Sequence, residues 1–145
     1  MNRTIYRIFQ GFAWVAFVGF LLQFFLAGLG VFRAATFAPH RTLGDLLMVA
    51  SVALLILALA SIRDGNRDRW RVGLAALLVV LMLLQYLLAS DFLQEGAPAI
   101  SALHPVNGLL LVFVSYALAH GRGLPWGAAQ QSRMGGTDTE SSRVR

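Results

Sequence analysis

Cysteine is absent from the 145 residues, which excludes disulfides, thiolate metal sites and covalent thioether attachment of a cofactor. Lysine is absent as well, so all twelve basic residues are arginine. Charge of either sign is scarce at 13%, against 57% hydrophobic residues and a mean hydropathy of +0.66. A soluble domain carries about 25% charged residues to cover its surface, so this composition excludes an ordinary soluble fold. Three stretches hold no charge at all: Ile8 to Phe32, Leu46 to Ile62 and Val72 to Ser90. A fourth, Leu103 to Ala119, is broken only by His104-Pro105 and Asn107.

A helix needs about 20 apolar residues to cross the hydrocarbon core of a bilayer. Four spans fit, at about 8–32, 40–62, 71–92 and 104–120. The expectation is an all-α integral membrane protein: an up-down four-helix bundle, with residues 1–120 as its transmembrane domain and 121–145 as a disordered tail rich in Gly, Ser, Thr, Arg and Gln. Arg3 and Arg7 ahead of the first run resemble a signal peptide. That run far exceeds the roughly 7–15 residues of a signal h-region, so an uncleaved first helix is expected.

A net charge of +5 and a pI near 11.1 would suggest nucleic acid on a soluble protein. The positions of the charges argue otherwise. Arg3 and Arg7 precede the first span, Arg63, Arg67, Arg69 and Arg71 separate the second from the third, and Arg122, Arg133, Arg143 and Arg145 follow the fourth. Only Arg33 and Arg41 fall on the other side. This positive-inside bias puts both termini and the middle loop in the cytoplasm of a bacterial inner membrane, with the bilayer rather than nucleic acid as partner.

What is present is a duplication. Leu21-Leu22-Gln23-Phe24-Phe25-Leu26-Ala27 returns as Leu83-Leu84-Gln85-Tyr86-Leu87-Leu88-Ala89, and the glutamines stand 62 positions apart (23 to 85). His40-Arg41-Thr42-Leu43-Gly44 returns as His104-Pro105-Val106-Asn107-Gly108, 64 positions apart (40 to 104). Each copy is a helix hairpin, so the copies form a parallel repeat about an axis along the membrane normal. Sharp turns are expected at Gly30 to Pro39, at Asp64-Gly65-Asn66 and at Gly96-Ala97-Pro98.

Polar groups inside a membrane are costly and mark function. His40 and His104 open the second and fourth helices, diagonal partners in an up-down bundle. With neighbouring axes about 8–10 Å apart, that diagonal is roughly 12–14 Å, too wide for two imidazoles to share a small metal ion without backbone adjustment. It suits a flat macrocycle with one imidazole on each side of its metal. Gly44 and Gly108 stand one turn after each histidine, on the same face. They either clear space for that ligand or bring helices into close contact. Gln23 and Gln85 either bind a ligand or join helices. Asn107 can support His104 from behind. Arg33 and Arg41 can pair with carboxylates bidentately, and Arg41 can equally meet lipid headgroups. Asp45 is expected to be a first-turn carboxylate favoured by the helix dipole. His120, at the inner end, has no histidine opposite it on the second span, so a second macrocycle below the first is not expected.

The pattern resembles one half of the haem A synthase family. The residues that carry the likeness are Gln23 with Ala27-Gly28-Leu29-Gly30, then His40-Arg41, Gln85 and His104, over about 100 residues. The resemblance implies a four-helix bundle with His40 and His104 as axial ligands of haem iron. Two departures remove the family's oxygenation from the expectation: Phe37 stands where the family has a glutamate, and the sequence holds one such half. Pro105 also puts His104 at or near the helix N-cap. The chain is similar, too, to small four-span bacterial membrane proteins of unknown function. The first expectation is one b-type haem near the outer face, passing electrons to or from a quinol or an outer redox partner, with no independent catalytic activity. The second is a quinone- or lipid-binding protein using Gln23, Gln85 and the histidines. The third is a ligand-free structural or assembly subunit.

Overall fold

The apolar runs form four helices long and apolar enough to cross a membrane in the computed structural model, which describes residues 3–63 and 69–121. Side chains without polar groups leave the backbone to satisfy its own hydrogen bonds, and a helix does so within one segment. The elements are α1 (Arg3–Val31), α2 (Ala38–Arg63), α3 (Arg69–Leu88), α4 (Asp91–Gly96), α5 (Pro98–Ser101) and α6 (His104–His120). Among the described residues all regular structure is helical. The expected turn at 64–66 and the tail from 122 onward lie outside the described residues.

The ends of the helices follow local chemistry. At the close of α1 the N–H of Ala34 donates to the Leu29 carbonyl at 2.9 Å, and Arg33 takes the left-handed conformation at φ 57. That costs a non-glycine residue roughly 1–2 kcal/mol. Pro39 and Pro105 fall in the first turns of α2 and α6, where a missing N–H loses nothing. Gly121 ends α6 at φ 63, the left-handed cap position that glycine fills most easily.

The third span ends at Leu88, short of the expected 92, because Ser90 starts a new helix. Its hydroxyl accepts the Leu93 N–H at 3.5 Å, and Asp91 lies in the first turn of α4. The Ser101 hydroxyl donates to the Leu88 carbonyl at 2.6 Å and ties α5 back to the end of α3. At 1.5 Å per residue α6 is about 25 Å long, short of a core of about 30 Å. The apolar segment Pro98–His120, which includes α5, makes up that length.

Helix α1 packs against α2 and α6, and α3 packs against the same two, so α1 faces α3 and α2 faces α6 across a common core. The duplication is visible in that core. Ala13 and Ala75, Ala16 and Leu78, and Phe20 and Met82 are buried at matching positions of α1 and α3. Leu47 and Leu111, Ser51 and Ser115, and Leu54 and Leu118 do the same in α2 and α6. The serines satisfy their hydroxyls within their own helices, on the carbonyls of Leu47 and Val112. Outward faces carry Val15, Phe25, Val49, Ile56, Val80 and Phe113, all exposed. Helices apolar all round with only a narrow buried stripe are compatible with a multi-pass membrane protein.

Candidate functional site

The end of α1, the start of α2, the end of α3 and the start of α6 meet at one end of the molecule. Both histidines lie there. His40 is in the first turn of α2 and His104 is the first residue of α6. Their ring centres are 6.2 Å apart with planes inclined at 57°. The expectation from helix axes alone, that the imidazoles stand too far apart to share one metal, is corrected here. Both side chains reach inward from diagonal helices and close most of the gap.

Each histidine is held by the glutamine of its own repeat. His40 donates from Nδ1 to the main-chain carbonyl of Gln23 at 3.2 Å. Gln85 uses its side chain instead: Nε2 donates to the His104 carbonyl at 3.1 Å and lies 3.1 Å from the His104 Nε2. Asn107, buried as the next turn of α6 comes round, donates to the Gln85 Oε1 at 2.5 Å and to the Leu81 carbonyl at 2.8 Å. Among the described residues the Gln23 Oε1, the His104 Nδ1 and the Asn107 Oδ1 are buried without a hydrogen-bond partner. An unsatisfied buried polar atom costs about 1–3 kcal/mol, so three such atoms around one site are informative.

Both glycines line the site, and side chains already approach them. A Cβ on Gly44 would lie 3.1 Å from the Gln23 Nε2. One on Gly108 would lie 3.3 Å from the Phe24 ring and 3.6 Å from the Gln85 Nε2. Phe37 packs edge-on against His40, with ring centres 6.4 Å apart, and covers Gly30, where a Cβ would come within 2.6 Å of its ring. Phe37 is thus an apolar wall beside His40.

These residues surround a cavity of about 790 Å³. Gln23, His40, Arg41, Gly44, Gln85, His104 and Gly108 line it, while Asn107 stands behind Gln85. Arg33 does not line it. Cavities of about 300–1,000 Å³ take ligands of drug or cofactor size. Among the described residues no three His, Cys, Asp or Glu side chains cluster as a metal site.

Sequence reasoning missed one pair. Tyr86 donates to the Asp45 Oδ1 at 2.6 Å, joining α3 to α2 at the edge of the same cavity. Asp45 lies beyond the first turn of α2, so its partner is this hydroxyl rather than the helix terminus. The available signal was in the repeat: Tyr86 occupies the position of Phe24, and the hydroxyl is what the second copy adds. His120 lies at the opposite end, against Tyr116 and Trp14, with ring centres at 4.0 and 5.2 Å.

A family model described as a family of unknown function, DUF6220, matches residues 23–91. The similar segment runs from Gln23 through His40 to Gln85 and stops short of His104. No curated protein and no solved structure matches the chain.

Proposed function

We propose that this chain is a bacterial inner-membrane protein, an up-down four-helix bundle with both termini cytoplasmic, that binds one b-type haem between His40 and His104 near the outer face. The observation that carries this reading is the ring separation of 6.2 Å. That separation would let His40 and His104 hold one metal-centred cofactor between them. A bare metal ion would find only two protein ligands here, whereas a macrocycle that brings four nitrogens of its own needs only two. The His40 Nδ1 bond to the Gln23 carbonyl is the support that orients a metal-ligating imidazole through its other nitrogen. Arg41, on the cavity wall, is suited to pair with propionates. The resemblance to one half of the haem A synthase family supports the same pair of ligands. Haem supplies one-electron chemistry, and the protein contributes ligation, burial and orientation. We assign it electron transfer with a quinol or an outer partner.

The unpartnered Gln23 Oε1 and His104 Nδ1 favour a second reading, in which the cavity takes a quinone or lipid headgroup through hydrogen bonds. An absorption spectrum separates the two. Membrane-purified protein is expected to show a sharp Soret band and, when reduced, the split visible bands of six-coordinate low-spin haem. His40→Ala and His104→Ala should each lose the six-coordinate low-spin bands and still insert, because four apolar spans need no cofactor to enter the bilayer. Protein that stays colourless after expression with excess haem precursor overturns the haem reading.

A further inference from the structure

The two repeats deliver matching residues but treat their histidines differently. At His40 the partner is a main-chain carbonyl, which only accepts. The proton is therefore on Nδ1, and Nε2 keeps an unengaged lone pair. At His104 the polarity is dictated by a longer chain that also starts from a carbonyl. The Leu81 oxygen requires the NH₂ of Asn107 to face it, and the same NH₂ donates to the Gln85 Oε1. That orients the Gln85 amide, whose Nε2 donates to the His104 carbonyl and meets the His104 Nε2 as a donor. The ring must accept there, so the His104 proton is also on Nδ1, where it is buried without a partner.

Both rings thus offer Nε2 to a metal, but on unequal terms. Among the described residues the lone pair of His40 has no competitor, while that of His104 is already used by an amide hydrogen. Releasing it costs that one hydrogen bond, while the Gln85 Nε2 keeps its bond to the His104 carbonyl. We infer that His40 is the fixed ligand and His104 the exchangeable one, with Gln85 as the positioning residue that competes for its lone pair, so that the His104 side admits a small exogenous ligand such as carbon monoxide. This rests on the haem reading above.

Histidine ¹⁵N NMR of the cofactor-free protein tests the hydrogen-bond chain without haem. Both rings are expected to carry the proton on Nδ1, and Gln85→Glu should move the His104 proton to Nε2, since a carboxylate only accepts. A His104 protonated on Nε2 in the wild type, or unmoved by Gln85→Glu, overturns the inference. In the haem-loaded protein His104→Ala should keep haem in a five-coordinate high-spin form that binds carbon monoxide, while His40→Ala should lose haem. Gln85→Leu frees the lone pair and should weaken carbon monoxide binding roughly two- to tenfold, the worth of one hydrogen bond. Equal haem loss from both histidine variants, or carbon monoxide affinity unchanged in Gln85→Leu, overturns it as well. Wild-type protein that takes up no haem fails the haem reading and the ligand exchange with it, while the NMR result on Gln85 stands separately.

Discussion

Asn107 joins two acceptors with one NH₂ group, the Leu81 carbonyl and the Gln85 Oε1, and it is only 3% exposed. Asn107→Leu keeps the branched outline of the side chain but takes the donor away from the Gln85 Oε1. The expected loss is about 1–3 kcal/mol, read as a lower melting temperature in detergent. The double variant Asn107→Leu/Gln85→Leu should cost less than the two single changes added together, because no orphaned atom then remains between them. Strict additivity would mean that the two amides do not act as a unit.

Helices α2 and α6 present the same face to the cavity, histidine first and glycine one turn on. The neighbours of the two glycines differ in stiffness. Gly44 faces the end of a flexible amide and Gly108 an aromatic ring. Gly108→Leu should therefore disturb packing more than Gly44→Leu when no cofactor is bound. Overpacking a close contact typically costs about 1–3 kcal/mol. Both variants should also lose haem, since both positions line the cavity. Thermal melts with and without haem decide it. A further loss seen only in the loaded form supports a ligand site, and equal losses in both forms mean the glycines serve helix packing alone.

Among the described residues Arg3, Arg7, Arg63, Arg69 and Arg71 lie at one end of the bundle and Arg33 and Arg41 at the other. Arg71, at the start of α3, lies over the rings of Tyr6 and Trp70 at 5.0 and 5.5 Å, and the Gln10 amide donates to the Ala119 carbonyl at the same end. Aromatic and arginine side chains of this kind suit a membrane–water boundary. A reporter active only in the cytoplasm should work when fused after Gly121 or within 63–71, and fail when placed within 94–99. The reverse pattern would move both histidines to the inner face and remove the proposed outer site.

Run length, charge placement and duplication are properties of the chain read in one dimension, and they sufficed for four apolar helices, for the repeat, and for His40 and His104 at one end. The buried pairs Ala13 and Ala75, Leu47 and Leu111, and Ser51 and Ser115 follow from the same repeat, because equal spacing along two helices turns equal faces to one core. Hydropathy alone carries the third span to 92, because it does not register the Ser90-Asp91 cap that opens α4. Tertiary structure alone decided the rest. The 6.2 Å between the imidazoles depends on rotamers across diagonal helices, and Asp45 meets Tyr86 only because α2 and α3 are neighbours. Two equal glutamines became unequal supports, one lending its backbone and the other its side chain. Hydrogen bonds need positions good to a few tenths of an ångström. Spacing along a sequence places a residue on a helix face, and only packing sets which atom of that residue meets its partner.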